Sequence, residues 1–339
     1  MSSWAVSTPS AGWVSGRRAH TADVAPSPSL LDRRLLVVTG KGGVGKTTLA
    51  AGLALLAARQ GKRTLACEID AKGDLAEAFG LGPVGFDPVR GPDGVRLMSM
   101  DTEASLREYL KINLRVPMAG RIGLLARTFD FVADAAPGVK EILTVGKLAY
   151  EVRERHYDLV VADAPASGHV VSYLAAPESI AELVHVGLVR HQTDWMRDIL
   201  SNPTTTGAVL VTTPEEMPVT ETIELAHELR SRTKVDVAAI VANRVLPELF
   251  GHREEALFDA VEAGPAGQLL REKLGPAVDT LFGAARLSVG LRRRGAAHLG
   301  RLREALPDLP VLYLPERFGG EEGLAATKLV ARNLGEELL

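Results

Sequence analysis

The chain has 339 residues, of which 46% are hydrophobic, and its 39 basic and 42 acidic residues leave a net charge of -3. This balance predicts a folded, soluble protein and argues against a general nucleic-acid binder, which needs a basic surface to release counterions. No apolar run reaches the roughly 18 residues of a membrane span, and the N-terminus lacks the apolar core of a signal peptide. We therefore expect a cytoplasmic protein. Its single cysteine, Cys67, cannot form an internal disulfide, and neither zinc nor an iron–sulfur cluster is expected.

Residues 1–30 are rich in Ser, Ala and Pro and predict a flexible tail. In residues 31–339, short β-branched runs alternate with helical patterns, which is typical of βαβ units and a parallel sheet. Runs such as LVVAD are apolar without alternation, as in strands covered on both faces. The pattern predicts one α/β domain with a mostly parallel sheet flanked by helices. The predicted strands are Arg34–Thr39, Arg63–Ile69, Val95–Met100, Asp158–Asp163, Ala208–Thr213, Asp236–Ala242 and Pro310–Leu314.

Two long segments show only helical pattern. Residues 101–155 predict a helical insertion beside the sheet, and residues 253–306 predict a second helical stretch. The insertion is apolar but not rich in Met, so a plain core and a groove for a hydrophobic client both remain open. The arginines at 292–294 indicate either a solvated helix face or contact with an acidic partner.

A phosphate loop follows the first predicted strand. Residues 40–47, GKGGVGKT, match G-x-x-x-x-G-K-[ST] between a buried strand and an amphipathic helix, which is the context this motif requires. Glycines let backbone N–H groups turn inward around the phosphates, and the helix N-terminus adds a positive end. The residues predicted to bind nucleotide are Gly40, Gly42, Gly43, Val44, Gly45, Lys46, Thr47 and Thr48.

Three side chains of the loop have predicted tasks. Lys46 should reach the β- and γ-phosphates, the Thr47 hydroxyl should complete part of a Mg²⁺ shell, and Thr48 should donate to the α-phosphate. We therefore expect ATP or ADP, with Mg²⁺, as ligands. The loop alone leaves the use of the nucleotide open.

A second lysine, Lys41, directly follows the first glycine of the loop. Here the chain resembles the deviant Walker A group of dimeric NTPases: ArsA-type arsenite-pump ATPases, tail-anchored-protein-targeting ATPases, MinD and ParA partition proteins and nitrogenase iron protein. In that group the extra lysine contacts the nucleotide held by the partner subunit. The resemblance implies catalytic roles for Lys41 and Lys46 in a homodimer or in a heterodimer with a paralogue.

The segment CEIDAKGDLAEAFG resembles the first switch of the ArsA-type and tail-anchored-targeting ATPases, roughly D-P-A-H-x-L-x-D-A-F. By that resemblance Asp70 positions and polarises the attacking water, which makes it a predicted catalytic and switch residue. Ala71 and Gly73 stand where the family has Pro and His.

The segment DAPASGH resembles the second switch, D-x-A-P-T-G-H, with its proline one residue early at Pro165. Asp163 closes a hydrophobic strand, where a carboxylate would hold Mg²⁺ through water. Gly168 would permit a backbone movement that depends on the γ-phosphate. His169 is a candidate switch residue only through its motif.

Two further segments resemble the family's contacts with the base. The strand AAIVANR ends at Asn243 and Arg244, where the family has an Asn that hydrogen-bonds adenine through its donor and acceptor atoms. The segment VLYLPERFGGEEGL resembles the last strand and the following loop, which flanks the base and adds Pro315 to the predicted contacts.

The resemblance covers about residues 34–339 and is strongest to single-domain bacterial ArsA-like proteins. It implies an ATP-hydrolysing dimeric switch that couples closure to binding a hydrophobic client or a membrane partner. The near-neutral charge predicts no nucleic-acid partner. A Cys-based metalloid site is not expected, because soft As(III) needs several thiolates and the chain has one. The alternatives are a partition or interaction module of MinD or ParA type and a small-molecule kinase.

Overall fold

The computed structural model describes residues 29–114, 138–183, 188–316 and 319–338. Most of the predicted tail and residues 115–137 of the predicted insertion lie outside these ranges. Leu30, the last residue of the predicted tail, is buried with Leu31 in a short 3-10 turn.

The described strands form one eight-stranded sheet with the order β3-β4-β2-β5-β1-β6-β7-β8. All neighbours in it pair parallel except β3, which is antiparallel to β4. The seven predicted strands are confirmed. The sequence did not indicate β3, because two exposed residues carry no period. The strands are β1 (Leu35–Gly40), β2 (Thr64–Glu68), β3 (Val89–Arg90), β4 (Arg96–Ser99), β5 (Leu159–Asp163), β6 (Thr206–Thr212), β7 (Val237–Val245) and β8 (Val311–Pro315).

Helices cover both faces of the sheet. The described helices are α1 (Lys46–Arg59), α2 (Asp74–Ala78), α3 (Thr102–Leu114), α4 (Val139–Arg153), α5 (Ser167–Leu183), α6 (Leu188–Ser201), α7 (Glu216–Arg232), α8 (His252–Ala263), α9 (Pro265–Leu274), α10 (Ala277–Ala305) and α11 (Gly323–Leu338). Within the described ranges, no helix combines the length and apolarity that a bilayer span requires.

The core consists of two apolar layers, one on each face of the sheet. One layer packs α1, α2 and α11 against the strands, and the other packs α4, α5, α7 and the C-terminal part of α10. Strands that are apolar on both faces produce this arrangement, because each face needs its own cover. Cys67 is one of these core residues, fully buried in β2.

The described helices of residues 101–155 are α3 and α4, and those of residues 253–306 are α8, α9 and α10. Both groups depart from the carboxyl edge of the sheet, since α3 follows β4 and α8 follows β7. In a parallel sheet this edge is where ligands bind.

Candidate functional site

The phosphate loop lies at the carboxyl end of β1, with β5 and β6 on either side. Its backbone needs glycine at two kinds of position. Gly43 and Gly45 have φ of 81° and 95°, which L side chains rarely adopt. At Gly40 a side chain would collide with the Val211 carbonyl of β6. The loop therefore has the compact form from which N–H groups can surround an anion.

Lys46 begins α1 and stays within its own loop. Its Nζ donates to the Lys41 carbonyl oxygen at 3.1 Å. Burial lowers the pKa of Lys46, although the charges of Asp163 and Asp70 act in the opposite direction. The lysine thus lies close enough to both predicted carboxylates to be influenced by their charge.

Asp163 ends β5 beside the loop and is 7% exposed. Burial raises its pKa to about 6, while a hydrogen bond from the Thr47 hydroxyl and the charge of Lys46 lower it. One oxygen, Oδ1, is buried and has no hydrogen-bond partner. A buried carboxylate with a free oxygen next to a hydroxyl fits the oxygen-rich surroundings that Mg²⁺ prefers.

Lys41 is directed differently from Lys46. Its Nζ lies 2.6 Å from Oε1 of Glu221 on α7, and both side chains are about 30% exposed. Glu221 lies outside the predicted site residues. A residue 180 positions away leaves no local signal of such a contact.

The first predicted switch follows β2. Asp70 is partly exposed and its Oδ2 lies 3.7 Å from Nζ of Lys72. Ala71 has a φ of 45° and Gly73 a φ of 88°. Proline, the family's residue at the position of Ala71, is restricted to negative φ and could not adopt this conformation.

Glu68, the last residue of β2, holds this segment in place through hydrogen bonds. It is 5% exposed, and its carboxylate accepts hydrogen bonds from Gly73 N at 3.0 Å, Leu75 N at 3.3 Å and Ser99 Oγ at 3.4 Å. Glu68 was not among the predicted site residues. The available signal was a carboxylate inside an otherwise apolar strand, because a buried charge needs such partners.

The second predicted switch follows β5. The Pro165 carbonyl accepts a hydrogen bond from Thr39 Oγ1 at 3.0 Å, which ties this segment to the end of β1. A Cβ built on Gly168 would meet open space, and His169 is exposed. The position next to β1 is consistent with a switch, whereas the roles of Gly168 and His169 stay predictions.

Asn243 contacts the phosphate loop directly. Its Nδ2 donates to the Val44 carbonyl oxygen at 2.8 Å, and the residue is 9% exposed. Arg244 is exposed with a φ of 58°, and Pro315 ends β8 opposite Val245. These residues lie at the carboxyl edge that carries the loop, while their contact with a base stays a prediction.

The structure brings the loop, Asp163 and Asn243 into one cluster and places Asp70 nearby. A phosphate loop on the central strand of a mostly parallel sheet, with a buried aspartate ending the next strand, defines a P-loop NTPase fold. Groups of three or more His, Cys, Asp or Glu that could hold a metal are absent from the described residues.

Comparison with known proteins narrows this class. The model of the anion-transporting ATPase family, ArsA_ATPase, matches residues 33–193 and 188–256, well over half of the chain. The chain therefore belongs to the ArsA family of ATPases.

Three relatives illustrate the breadth of the similarity. The chain is 31% identical over 226 residues to ATPase BagA of Mycobacterium tuberculosis, covering 63% of this chain and 66% of the relative. It is 25% identical to a putative arsenical pump-driving ATPase of Halobacterium salinarum, over 80% of this chain and 44% of that protein. It is 26% identical to an ATPase ASNA1 homolog of Entamoeba dispar, over 62% of this chain and 76% of the relative.

Proposed function

We propose that this protein is an ATP-hydrolysing switch that works as a dimer of two copies, each of which completes the nucleotide site of the other. The observation that carries the proposal is the divergence of two lysines in one loop. Lys46 stays in its own loop, whereas Lys41 reaches outward to Glu221. A cation held outside its own phosphate loop can exchange its carboxylate partner for the nucleotide phosphates of another copy.

The chain's own residues supply most of what phosphoryl transfer needs, namely positioning and charge. Lys46 would bind the β- and γ-phosphates, and Thr47 with Asp163 would hold Mg²⁺, which neutralises phosphate charge when bound. Asp70 would orient the attacking water. Gly168, with open space beside it, would let the second switch follow the γ-phosphate.

The decisive experiment mixes two inactive variants. In Lys41→Ala the predicted cation is missing, and in Asp70→Asn the predicted water-orienting carboxylate is missing. If Lys41 acts across the dimer, each heterodimer contains one intact site, and an equal mixture should recover about one quarter of wild-type phosphate release. If Lys41 acts within its own chain, neither site is intact and the mixture stays inactive.

Two further measurements separate the alternatives. Lys46→Ala should abolish nucleotide binding, because it removes the main cation opposite the phosphates. Near-normal ATP affinity in this variant would contradict the phosphate-loop assignment. Wild-type protein should release inorganic phosphate from ATP without an added metabolite, while phosphate transfer to a metabolite would favour a kinase.

A hydrophobic polypeptide segment is the proposed client, on the basis of one cavity. The cavity has a volume of about 550 Å³ and lies between α3, α4 and α6, with Ile180 of α5 at its side. Apolar atoms make up most of its surface, as a client groove requires. The apolar lining residues include Leu106, Ile112, Ile142, Leu143, Trp195 and Met196.

An ion cluster joins the two helices at the cavity wall. Nζ of Lys147 on α4 lies 2.6 Å from Oε2 of Glu108 on α3 and 2.7 Å from Oε1 of Glu151. Burial pulls the pKa of Lys147 down, but the hydrogen bonds to both carboxylates outweigh it and raise the pKa overall. The cluster keeps the cation charged and holds α3 against α4.

Binding of a fluorescent apolar peptide of about 20 residues tests the client, since that length matches a membrane-spanning helix. The double variant Ile112→Gln/Leu143→Gln should bind it at least ~10-fold more weakly, because the cavity loses apolar contact area. Val89→Gln, which changes an exposed apolar residue on β3, is the control. Equal affinity in all three proteins would remove the cavity as the client site.

A further inference from the structure

The described part of the chain exposes its apolar surface unevenly. Of its eleven exposed large apolar side chains, seven lie on α8, α9 and the first part of α10. These seven are Leu257, Leu269, Leu270, Leu274, Leu281, Leu287 and Leu291, and five of them are more than half exposed. We call α8, α9 and residues 277–294 of α10 the helical arm. Clusters of exposed apolar residues of this kind mark interaction surfaces.

The arm extends beyond the carboxyl edge of the sheet. Helix α10 runs alongside α7: a Cβ on Gly295 would lie 3.1 Å from Pro214, and Arg301 Nη2 donates to Thr220 Oγ1 at 2.8 Å. Pro214 follows the carboxyl end of β6. Residues 277–294 come before Gly295 in the chain. At 1.5 Å per residue, they extend the helix about 27 Å beyond the contact of Gly295 with Pro214.

One apolar stripe runs along α10 from residue 287 to residue 302. Leu291, Gly295, Leu299 and Leu302 follow each other at spacings of four, four and three, so they share one helix face. Leu299 and Leu302 are 2% and 0% exposed because α7 and the sheet cover them. On the arm, Leu287 continues this row four positions before Leu291, and the two side chains are 60% and 43% exposed. Leu281 lies about 120° further round the helix from Leu287 and is 68% exposed.

Charge on the arm does not favour a membrane or a nucleic acid as the partner. Residues 252–294 contain seven basic and six acidic side chains. Three of the arginines are paired within the arm: Arg271 with Asp279 at 2.8 Å, Arg286 with Glu262 at 2.6 Å, and Arg293 with Glu255. The arm has a formal charge of only +1, whereas binding to an anionic surface needs an excess of positive charge.

We propose that the leucine surface of the arm docks on a second copy of this chain. The proposal rests on the proposed function, in which two copies meet at the carboxyl edge. The arm projects past that same edge, and its stripe continues the face that packs on α7, the helix that holds Lys41 through Glu221. A second copy close enough to receive Lys41 would therefore meet the arm and cover its leucines.

The test uses the full chain and sedimentation velocity with ATP and Mg²⁺. The variant Leu281→Gln/Leu287→Gln/Leu291→Gln should raise the dissociation constant of the dimer at least ~10-fold, because it removes apolar area at the interface. ATP affinity of the monomer should not change. Val89→Gln is the matched control, since it replaces an exposed apolar residue on β3. A triple variant that self-associates like wild type would overturn the proposal.

A second measurement does not depend on weakened association. Because Cys67 is buried, Leu287→Cys introduces one accessible thiol, which can be labelled with a maleimide benzophenone. Irradiation of the purified protein with ATP should give a covalent product of two chains, and Val89→Cys should not. Equal yields from both positions, or no two-chain product from Leu287→Cys, would overturn the proposal.

The outcomes also separate this inference from the proposed function. If wild type neither self-associates nor hydrolyses ATP, both are wrong. If wild type dimerises and the subunit mixture recovers activity while the arm variants behave like wild type, only the role of the arm is wrong.

Discussion

Lys41 of the phosphate loop and Glu221 of α7 form an ion pair of 2.6 Å. Glu221 thus binds the Lys41 ammonium group, which in the proposed dimer contacts the phosphates held by the other copy. Closure of the dimer therefore requires Lys41 to exchange Glu221 for a more strongly charged anion. The nucleotide supplies that anion, which makes this exchange a natural step in the cycle.

Glu221→Gln should strengthen ATP-dependent dimerisation. A partly exposed ion pair contributes up to about 1 kcal/mol. Closure breaks two such pairs, one in each copy, so the substitution should tighten the dimer by up to about thirtyfold. Glu224→Gln, an exposed carboxylate on the same helix, is the control and should behave like wild type. Sedimentation with and without ATP measures the change. Weaker dimerisation of Glu221→Gln would mean that Glu221 supports the closed state instead.

Asp70→Asn should bind ATP normally and hydrolyse it at least ~10²-fold more slowly, because the amide keeps the shape but loses the charge that polarises water. The variant should accumulate as a closed ATP-bound dimer, visible by small-angle scattering. Asp87→Asn, an exposed acid outside the site, should hydrolyse ATP at the wild-type rate. Wild-type hydrolysis by Asp70→Asn would remove the residue from the mechanism.

Glu68→Gln should destabilise the first switch and the protein as a whole. The substitution replaces one acceptor oxygen by a donor in a buried site where three groups donate to the carboxylate. We expect the free energy of unfolding in urea to fall by about 1–3 kcal/mol, with faster hydrogen exchange at the amides of Gly73 and Leu75. Glu77→Gln, exposed on α2, controls for loss of charge. Unchanged exchange at both amides would show that Glu68 does not hold the segment.

Gly45→Ala should weaken ATP binding at least ~10-fold, because alanine at a φ of 95° is strained by about 1–2 kcal/mol. A methyl group there would also collide with the Asn243 amide. Gly61→Ala, at a φ of 87° in open space, should leave ATP affinity unchanged. Full affinity of Gly45→Ala in equilibrium titration would contradict the proposed loop geometry.

Local features of the sequence were sufficient for most of the fold. Seven strands follow from continuous apolar runs, and the phosphate loop follows from glycine spacing between a strand and a helix. Such signals depend on neighbouring residues alone. The same reasoning located Asp70, Asp163 and Asn243 near strand ends, where a parallel sheet brings side chains together.

Contacts between distant segments were decided only in the tertiary structure. Nothing in the loop indicates that Lys41 meets Glu221, or that Asn243 donates to Val44 across 199 positions. The stripe of α10 makes the same point on a larger scale. Leu287 and Leu291 have the same spacing of four as Gly295 and Leu299, yet Leu299 and Leu302 are buried while Leu287 and Leu291 are exposed. Periodicity determines which residues share a face, whereas burial depends on whether another element, here α7, lies within reach of that face.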